Sequence, residues 1–235
     1  MDLKLEAARG ALKYVENGMT LGLGSGSTAG HFLELLGQAV TSGNLTGITG
    51  VPTSVKTAHR ARELGIALTS LGECARLRRP PLLDLTVDGA DEVDPELNLI
   101  KGLGMALLRE KIVAINTHTL VIIVDQSKLV DRLGQGPLPV ELARFGWEAN
   151  VDWLTGLSDR AELWLQEDGT PYVTDNGNYL ARCWFEKAIS DPPELAGLMD
   201  KRPGILEHGL FLGLARRVVV ATERGIEVME CEHER

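Results

Sequence analysis

Two short stretches concentrate the side chains able to do chemistry. VDGADE, residues 87–92, puts the carboxylates of Asp88, Asp91 and Glu92 around Gly89 and Ala90 at the end of the apolar run LLDLTV. A charged loop is ordinarily a solvated one, so these acids gain meaning only from what converges on them. GLGSGSTAG, residues 22–30, supplies backbone amides around Gly24 and Gly26 and the hydroxyls of Ser25, Ser27 and Thr28. Where a strand hands over to a helix, such amides, hydroxyls and the helix N-terminus can all face an anion. The stretch therefore reads as a cradle for a small phosphate, with one alternative left open: a tight strand-to-helix turn capped by Thr28. Gly24, Gly26 and Ala29 also satisfy a permissive dinucleotide fingerprint, but the following strand region, GITGVPTS, lacks the acid that holds a ribose, and no GK[ST] follows the glycines. Further along, Lys101 lies in IKGLG, Glu110 in the helical stretch MALLREKIVAI, and Lys128 in VDQSK. Glu110 is either a solvated helix residue paired with a cation or an acid with a task.

The elements that must carry these residues follow from periodicity. Leu5, Ala8, Leu12 and Val15 recur at helical spacing before Asn17-Gly18; MTLGLG alternates as a strand; Phe32, Leu33, Leu36 and Val40 trace a second helical face. GITGV as strand, SVKTAHRAREL as helix ended by Gly65, and the strands IALTSL, LLDLTVD and LVIIVD continue the pattern. Strands alternating with helices predict an α/β domain on a largely parallel sheet, with ligands at the carboxyl ends of its strands. Beyond Asp131 the texture changes to GQGPLPVEL and to strands joined by turns, with a DG signal at 168–169. A smaller α+β unit is expected over about 132–206, and the final strands of 207–235 are expected to rejoin the domain formed by 1–131.

Composition narrows the function classes. The chain has 235 residues, 44% hydrophobic and 24% charged, with a net charge of −9 and no dense Lys/Arg block. A nucleic-acid backbone or an anionic membrane is repelled on average, so a small substrate is favoured and individual lysines such as Lys4, Lys101 and Lys128 matter. The 3 cysteines, Cys74, Cys183 and Cys231, show no CxxC and no paired spacing, which fits a reduced, cytoplasmic compartment. The start lacks a secretory h-region and no run approaches a membrane span. Cys231-Glu232-His233 reads as a polar tail without a metal, and His31, His59, His118 and His208 read as surface or packing residues.

Taken in order, SGST, VDGADE, IKGLG with REK after it, VDQSK, LPVE and TDNGN resemble the ribose-5-phosphate isomerase A family through most of the chain. Each motif is weak alone; the ordered set is specific. The resemblance implies a Rossmann-like, largely parallel sheet domain with an inserted, smaller ferredoxin-like α+β domain. It also implies interconversion of D-ribose 5-phosphate and D-ribulose 5-phosphate in the pentose phosphate pathway, no metal or organic cofactor, and a homodimer or homotetramer. Carried over by matching motifs, Glu110 is the base, and Asp88 and Asp91, with the intervening Gly89 and Ala90, and Lys101 meet the reacting end of the sugar. Ser25, Gly26, Ser27, Thr28, Lys128 and Lys4 meet the phosphate. Two departures stand out. The glycine run after the lysine reads Gly102-Leu103-Gly104 instead of three glycines, and VPTSVKT replaces a serine-rich segment.

The implied reaction suits these groups. Moving a proton between C2 and C1 through an enediolate needs one base, and Glu110 in a partly dry pocket is more basic than in water. Charge building on the carbonyl oxygen calls for fixed donors, Lys101 and the amides of the turn after it. Ring opening needs an acid/base group, Asp88 or Asp91, with the choice between them open. Other readings are a sugar-phosphate sensor, which would need a partner domain, and a phosphosugar deaminase, which would release ammonia.

Overall fold

The structure, a computed structural model, describes residues 2–231. Glu232 and His233 of the tail lie outside the described residues. Helix α1, Leu3–Leu12, is opened by Asp2, whose carboxylate accepts from the amides of Lys4 and Leu5, and it buries Ala7, Ala8 and Ala11. It stops at Leu12, a turn before the expected Val15. β1 (Thr20–Leu23), α2 (Ser27–Thr41), β2 (Thr49–Pro52), α3 (Val55–Glu63) and β3 (Ala67–Leu68) follow in strand–helix alternation. α4 (Leu71–Leu77) was not anticipated; Ser70 and Glu73 form a capping box that starts it inside the stretch IALTSL. Next come β4 (Leu83–Asp88), the short strands β5 (Glu92–Val93) and β6 (Leu99–Ile100), α5 (Leu107–Ile115), β7 (Thr117–Asp125) and a single 3₁₀ turn, Gln126–Lys128. The remainder is β8 (Leu138–Leu142), α6 (Trp147–Thr155), β9 (Arg160–Leu163), β10 (Tyr179–Trp184), α7 (Pro192–Met199), β11 (Ile205–His208), β12 (Leu210–Phe211), β13 (Arg217–Thr222) and β14 (Gly225–Glu230).

These elements form two compact units. The first holds the chain up to Ala90, Arg109–Lys128 and the part from Leu214 on; the second holds Asp91–Leu108 and Leu129–Gly213. The expected division placed 91–108, 129–131 and 207–213 in the first unit. Residues 91–108 and 207–213 cluster with the second because β5 and β12 both pair with β6 in a three-stranded antiparallel sheet.

The first unit is built on a seven-stranded sheet in the order β14-β13-β7-β4-β1-β2-β3. Neighbours are parallel except for the terminal pair, β13 and β14. Of the final strands, β13 and β14 rejoin this sheet, whereas β11 and β12 stay in the second unit. Parallel strands covered on both faces must be apolar throughout, and Leu21, Leu23, Leu85, Val87, Val121, Ile123 and Val219 pack with Phe32 and Leu36 in one core. From β1 the chain steps outward to β2 and β3, then returns to the other side of β1 with β4. That reversal puts the switch point of the sheet at the carboxyl ends of β1 and β4, the place where open α/β sheets bind ligands.

The second unit contains a four-stranded antiparallel sheet in the order β11-β8-β10-β9. With α6 after β8 and α7 after β10, its connectivity is β-α-β-β-α-β, the ferredoxin-like pattern. Leu138, Val140 and Leu142 of β8 alternate into a core with Leu154, Ala181, Cys183, Leu195 and Met199. Pro139 is tolerated in this interior strand because the Gly209 carbonyl that its missing N–H would face accepts from the Lys101 amide instead, while the Pro139 carbonyl accepts from Gly209. Among the described residues, no helix is long and apolar enough to cross a membrane.

Candidate active site

In the first unit, β1 and β4 run in register, Leu23 opposite Val87, so the loops that follow them emerge together. The Gly24 amide donates to the Val87 carbonyl at 3.0 Å. The Asp88 carboxylate, only 1% exposed, accepts from the amides of Ser25 (3.0 Å) and Gly89 (2.8 Å) through Oδ1. Asp88 is thus not a solvated loop residue; it ties the acidic stretch to the glycine loop. A Cβ on residue 24 would collide with the carboxylate and backbone of Asp88, which is why glycine stands there.

The hydroxyl of Ser25 lies 2.7 Å from that of Thr53 and 3.3 Å from that of Thr57. Thr53 donates to the Leu23 carbonyl (3.0 Å) and Thr57 to the Gly24 carbonyl (3.1 Å). The segment VPTSVKT, noted for departing from a serine-rich pattern, therefore pins the glycine loop with threonines. Sequence reasoning missed Thr53 and Thr57, although the place of Thr53 directly after β2 and of Thr57 in the first turn of α3 was a usable signal. Helix α2 starts at Ser27 with Gly26 at its cap and no side-chain capping bond. Thr28 lies inside the first turn, so the reading of Thr28 as the cap is corrected. The leading amides of α2 are left for another acceptor.

Lys4 reaches from α1 to donate to the Ser27 hydroxyl at 2.9 Å. Asp125, at the end of β7, accepts from the amide of Ser127 at 3.0 Å and from its hydroxyl. Burial pushes the Asp125 carboxyl up, but the Ser127 hydrogen bonds and the positive charges of Lys128 and Lys4 together hold it below the usual carboxylate range. Both lysines thus act on one carboxylate at the carboxyl edge of the sheet. Glu110, on α5, is 4% exposed, so the reading of it as a solvated helix residue is also corrected.

In the second unit, Asp91 donates its amide to the Ile100 carbonyl (2.8 Å) and accepts from the Leu103 amide through Oδ2 (2.9 Å). The substituted glycine position therefore spends its amide on Asp91. Lys101, 3% exposed, donates its amide to the Gly209 carbonyl, and its ammonium lies 5.5 Å from the centroid of the Phe211 ring. Gly102 has φ +114 and its missing Cβ faces Leu107, so glycine is needed there, while Gly104 has open space. Leu103 fits because its position demands neither.

Other buried acids of the second unit are occupied by the fold. Glu92 accepts from the amides of Gly134 (2.7 Å) and Gly136 (2.5 Å). Glu141 accepts through Oε1 from Thr174 (2.9 Å), Asn176 (3.1 Å) and Asn178 (2.8 Å), so two of the quoted motifs, LPVE and TDNGN, meet each other. Asp200, Glu207 and His208 bring ligand atoms within 4.8 Å of one another. The ring of buried His208 is engaged at Nε2 by Asp200 (3.1 Å) and at Nδ1 by the Leu210 amide (3.3 Å), a packing arrangement.

Residues 49–225 match the family described as Ribose 5-phosphate isomerase A (phosphoriboisomerase A). Ribose-5-phosphate isomerase A of Roseiflexus castenholzii is 48% identical over 226 residues, 96% of this chain and 94% of that protein. A D-ribose-5-phosphate isomerase solved in complex with phospho-erythronic acid superimposes with a TM-score of 0.90 at 39% identity, covering 97% of this chain and 98% of that one. Ribose 5-phosphate isomerase A of Methanocaldococcus jannaschii gives 0.89 at 36% identity, with the same coverage, 97% and 98%.

Proposed function

The chain belongs to the ribose-5-phosphate isomerase A family and interconverts D-ribose 5-phosphate and D-ribulose 5-phosphate; on that premise we propose that Glu110 carries the proton between C2 and C1. The observation that carries the assignment of the surrounding site is the buried Asp88 carboxylate. It holds the glycine loop and the acidic stretch together at the point where the strand order reverses.

In this reading the phosphate is met by the hydroxyls and amides of Ser25, Gly26, Ser27 and Thr28 and by the ammonium groups of Lys4 and Lys128. Support comes from the Lys4–Ser27 bond and from the uncapped start of α2. Asp88 and Asp91, around Gly89 and Ala90, handle the anomeric and ring oxygens during ring opening. Glu110 removes the proton next to the carbonyl, and Lys101 meets the negative charge of the enediolate. The Leu103 amide, already given to Asp91, is left out of that stabilising set; the backbone around Gly102 and Gly104 stays in it. Every step is assigned to a side chain or amide, so turnover is expected to persist under exhaustive chelation and without added nucleotide. Cytoplasmic location and a homodimeric or homotetrameric state complete the proposal, supported by the family and by the cysteine usage.

The test follows the charge. Phospho-erythronic acid, bound by a relative, carries a carboxylate where the enediolate carries its charge, and is expected to bind this chain at least about 10²-fold tighter than substrate. Calorimetry on Lys101→Met should show the acid losing more affinity than ribose 5-phosphate; equal losses would withdraw Lys101 from the stabilising role. Turnover in deuterated water should place deuterium at C1 or C2, and complete retention of hydrogen would mean a hydride shift without Glu110.

A further inference from the structure

Lys128 has been assigned to the phosphate, but a lysine recognises an anion well only if its backbone is held. Lys128 closes the 3₁₀ turn Gln126–Lys128, which leaves β7 directly after Asp125. A three-residue turn makes few bonds of its own. Its anchor is the Asp125 side chain, which folds back to accept from both the amide and the hydroxyl of Ser127. Asp125 itself is fixed by the sheet, in register with Ala221 of β13 on a strand that also pairs with β4. Hence the carboxylate links a rigid strand end to the turn that bears the cation. We propose that Asp125 is the positioning residue of the phosphate subsite, holding the Gln126–Lys128 turn so that Lys128 stands ready for the anion. This rests on the assignment of Lys128 to the phosphate.

An acid beside an anion site would otherwise look like an obstacle. Here its charge is shared with Lys128 and Lys4, both of which act on it. Two ammonium groups left without a counter-charge would repel each other and swing outward on flexible stems. The carboxylate keeps them together until a phosphate dianion, with more charge and more acceptor oxygens, displaces it as their main partner.

Inorganic phosphate, as a competitive inhibitor of ribose 5-phosphate turnover, is the probe. Asp125→Ala should weaken phosphate inhibition and raise KM for ribose 5-phosphate, each by about 10-fold, the size of one lost charge-assisted contact, while kcat moves much less. Asp125→Asn keeps an oxygen for Ser127 but not the charge shared with the lysines, and should recover part of that loss. Ser127→Ala, at an exposed position that leaves folding untouched, removes only the hydroxyl bond and should give a smaller change in the same direction. Unchanged phosphate inhibition in Asp125→Ala and Ser127→Ala, tighter inhibition in either, or failure of Asp125→Asn to recover would overturn the proposal. Lys128→Ala separates it from its premise. If that variant binds phosphate normally, the assignment of Lys128 fails; if it binds weakly while the Asp125 and Ser127 variants bind normally, only the positioning role fails.

Discussion

The two units bury their acids in different places. In the parallel-sheet unit Asp88 is the last residue of a strand, beside the reversal of strand order, and its carboxylate takes amides from the two loops that leave the sheet there. In the antiparallel unit Glu141 lies within β8, fully buried on the sheet face opposite Leu138, Val140 and Leu142, and it takes its donors from the 174–178 turn. A buried carboxylate is costly unless hydrogen-bonded, so both have partners. Burial and membership of a quoted motif therefore do not distinguish a chemical group from a scaffold. Position on the element does, because a strand end at a switch point borders ligand space whereas a mid-strand side chain under its own turn borders only protein.

The contrast breaks or stands on a pair of substitutions. Glu110→Gln keeps shape and removes the proposed proton carrier, so kcat should fall by about 10²–10⁴-fold while substrate still binds. Near-normal turnover would sink its assignment. Glu141→Gln should do the reverse. Gln keeps an oxygen for the three donors at Oε1 but removes the charge that strengthens those bonds, and it buries an amide N–H at the Oε2 position, which has no hydrogen-bond partner among the described residues. The cost to folding is on the order of 3 kcal/mol, with kcat per folded molecule retained. The four tryptophans, Trp147, Trp153, Trp164 and Trp184, all lie in the second unit, so their fluorescence reports its unfolding directly. A Glu141→Gln protein that keeps its urea midpoint but loses turnover would place Glu141 in the chemistry and dissolve the comparison.

How much of this was legible in the sequence depended on range. The parallel core was readable because each of its strands declares itself by a local apolar run, and Asp88, Lys101 and Glu110 were singled out by type and spacing before their burial was known. α4 was missed although its Ser70-to-Glu73 signature was present, because the apolar run IALTSL outweighed the cap. α6 was missed because Trp147, Val151 and Leu154 sit in a stretch that follows Gly-Pro-rich chain and carries no side-chain cap: Gly146 precedes it. The place of 91–108 in the second unit was beyond local reading, since two-residue strands such as β5, β6 and β12 have no periodicity and exist only through pairing, that of β6 with β12 reaching across more than a hundred positions. Thr53 and Thr57 belong to the same class: their role comes from the neighbouring strand, not from their own segment.

The two cores differ more quietly in one titratable group, and the smallest expected effect follows from it. Cys183 is packed among the aliphatic side chains of the second unit, and burial pushes its thiol up to about 12, with only a modest opposing hydrogen bond with Ser158. In the unfolded chain a thiol titrates near ~8.5. Below that pH both states hold the proton and the group is neutral in its effect on stability. Above it the unfolded chain releases the proton while the folded one keeps it, so unfolding is favoured progressively as pH rises from ~8.5 toward the folded value. At pH 10 the loss amounts to about 2 kcal/mol. Cys183→Val, a similar volume with the β-branch that strands favour, removes the thiol and should flatten this part of the profile. The other side chains are the same in both proteins, so their contributions cancel in the difference. Urea unfolding followed by tryptophan fluorescence at pH 8 and pH 10 measures it: the variant should gain on the wild type as pH rises, and parallel profiles would mean that the core around Cys183 admits enough water to ionise the thiol without unfolding.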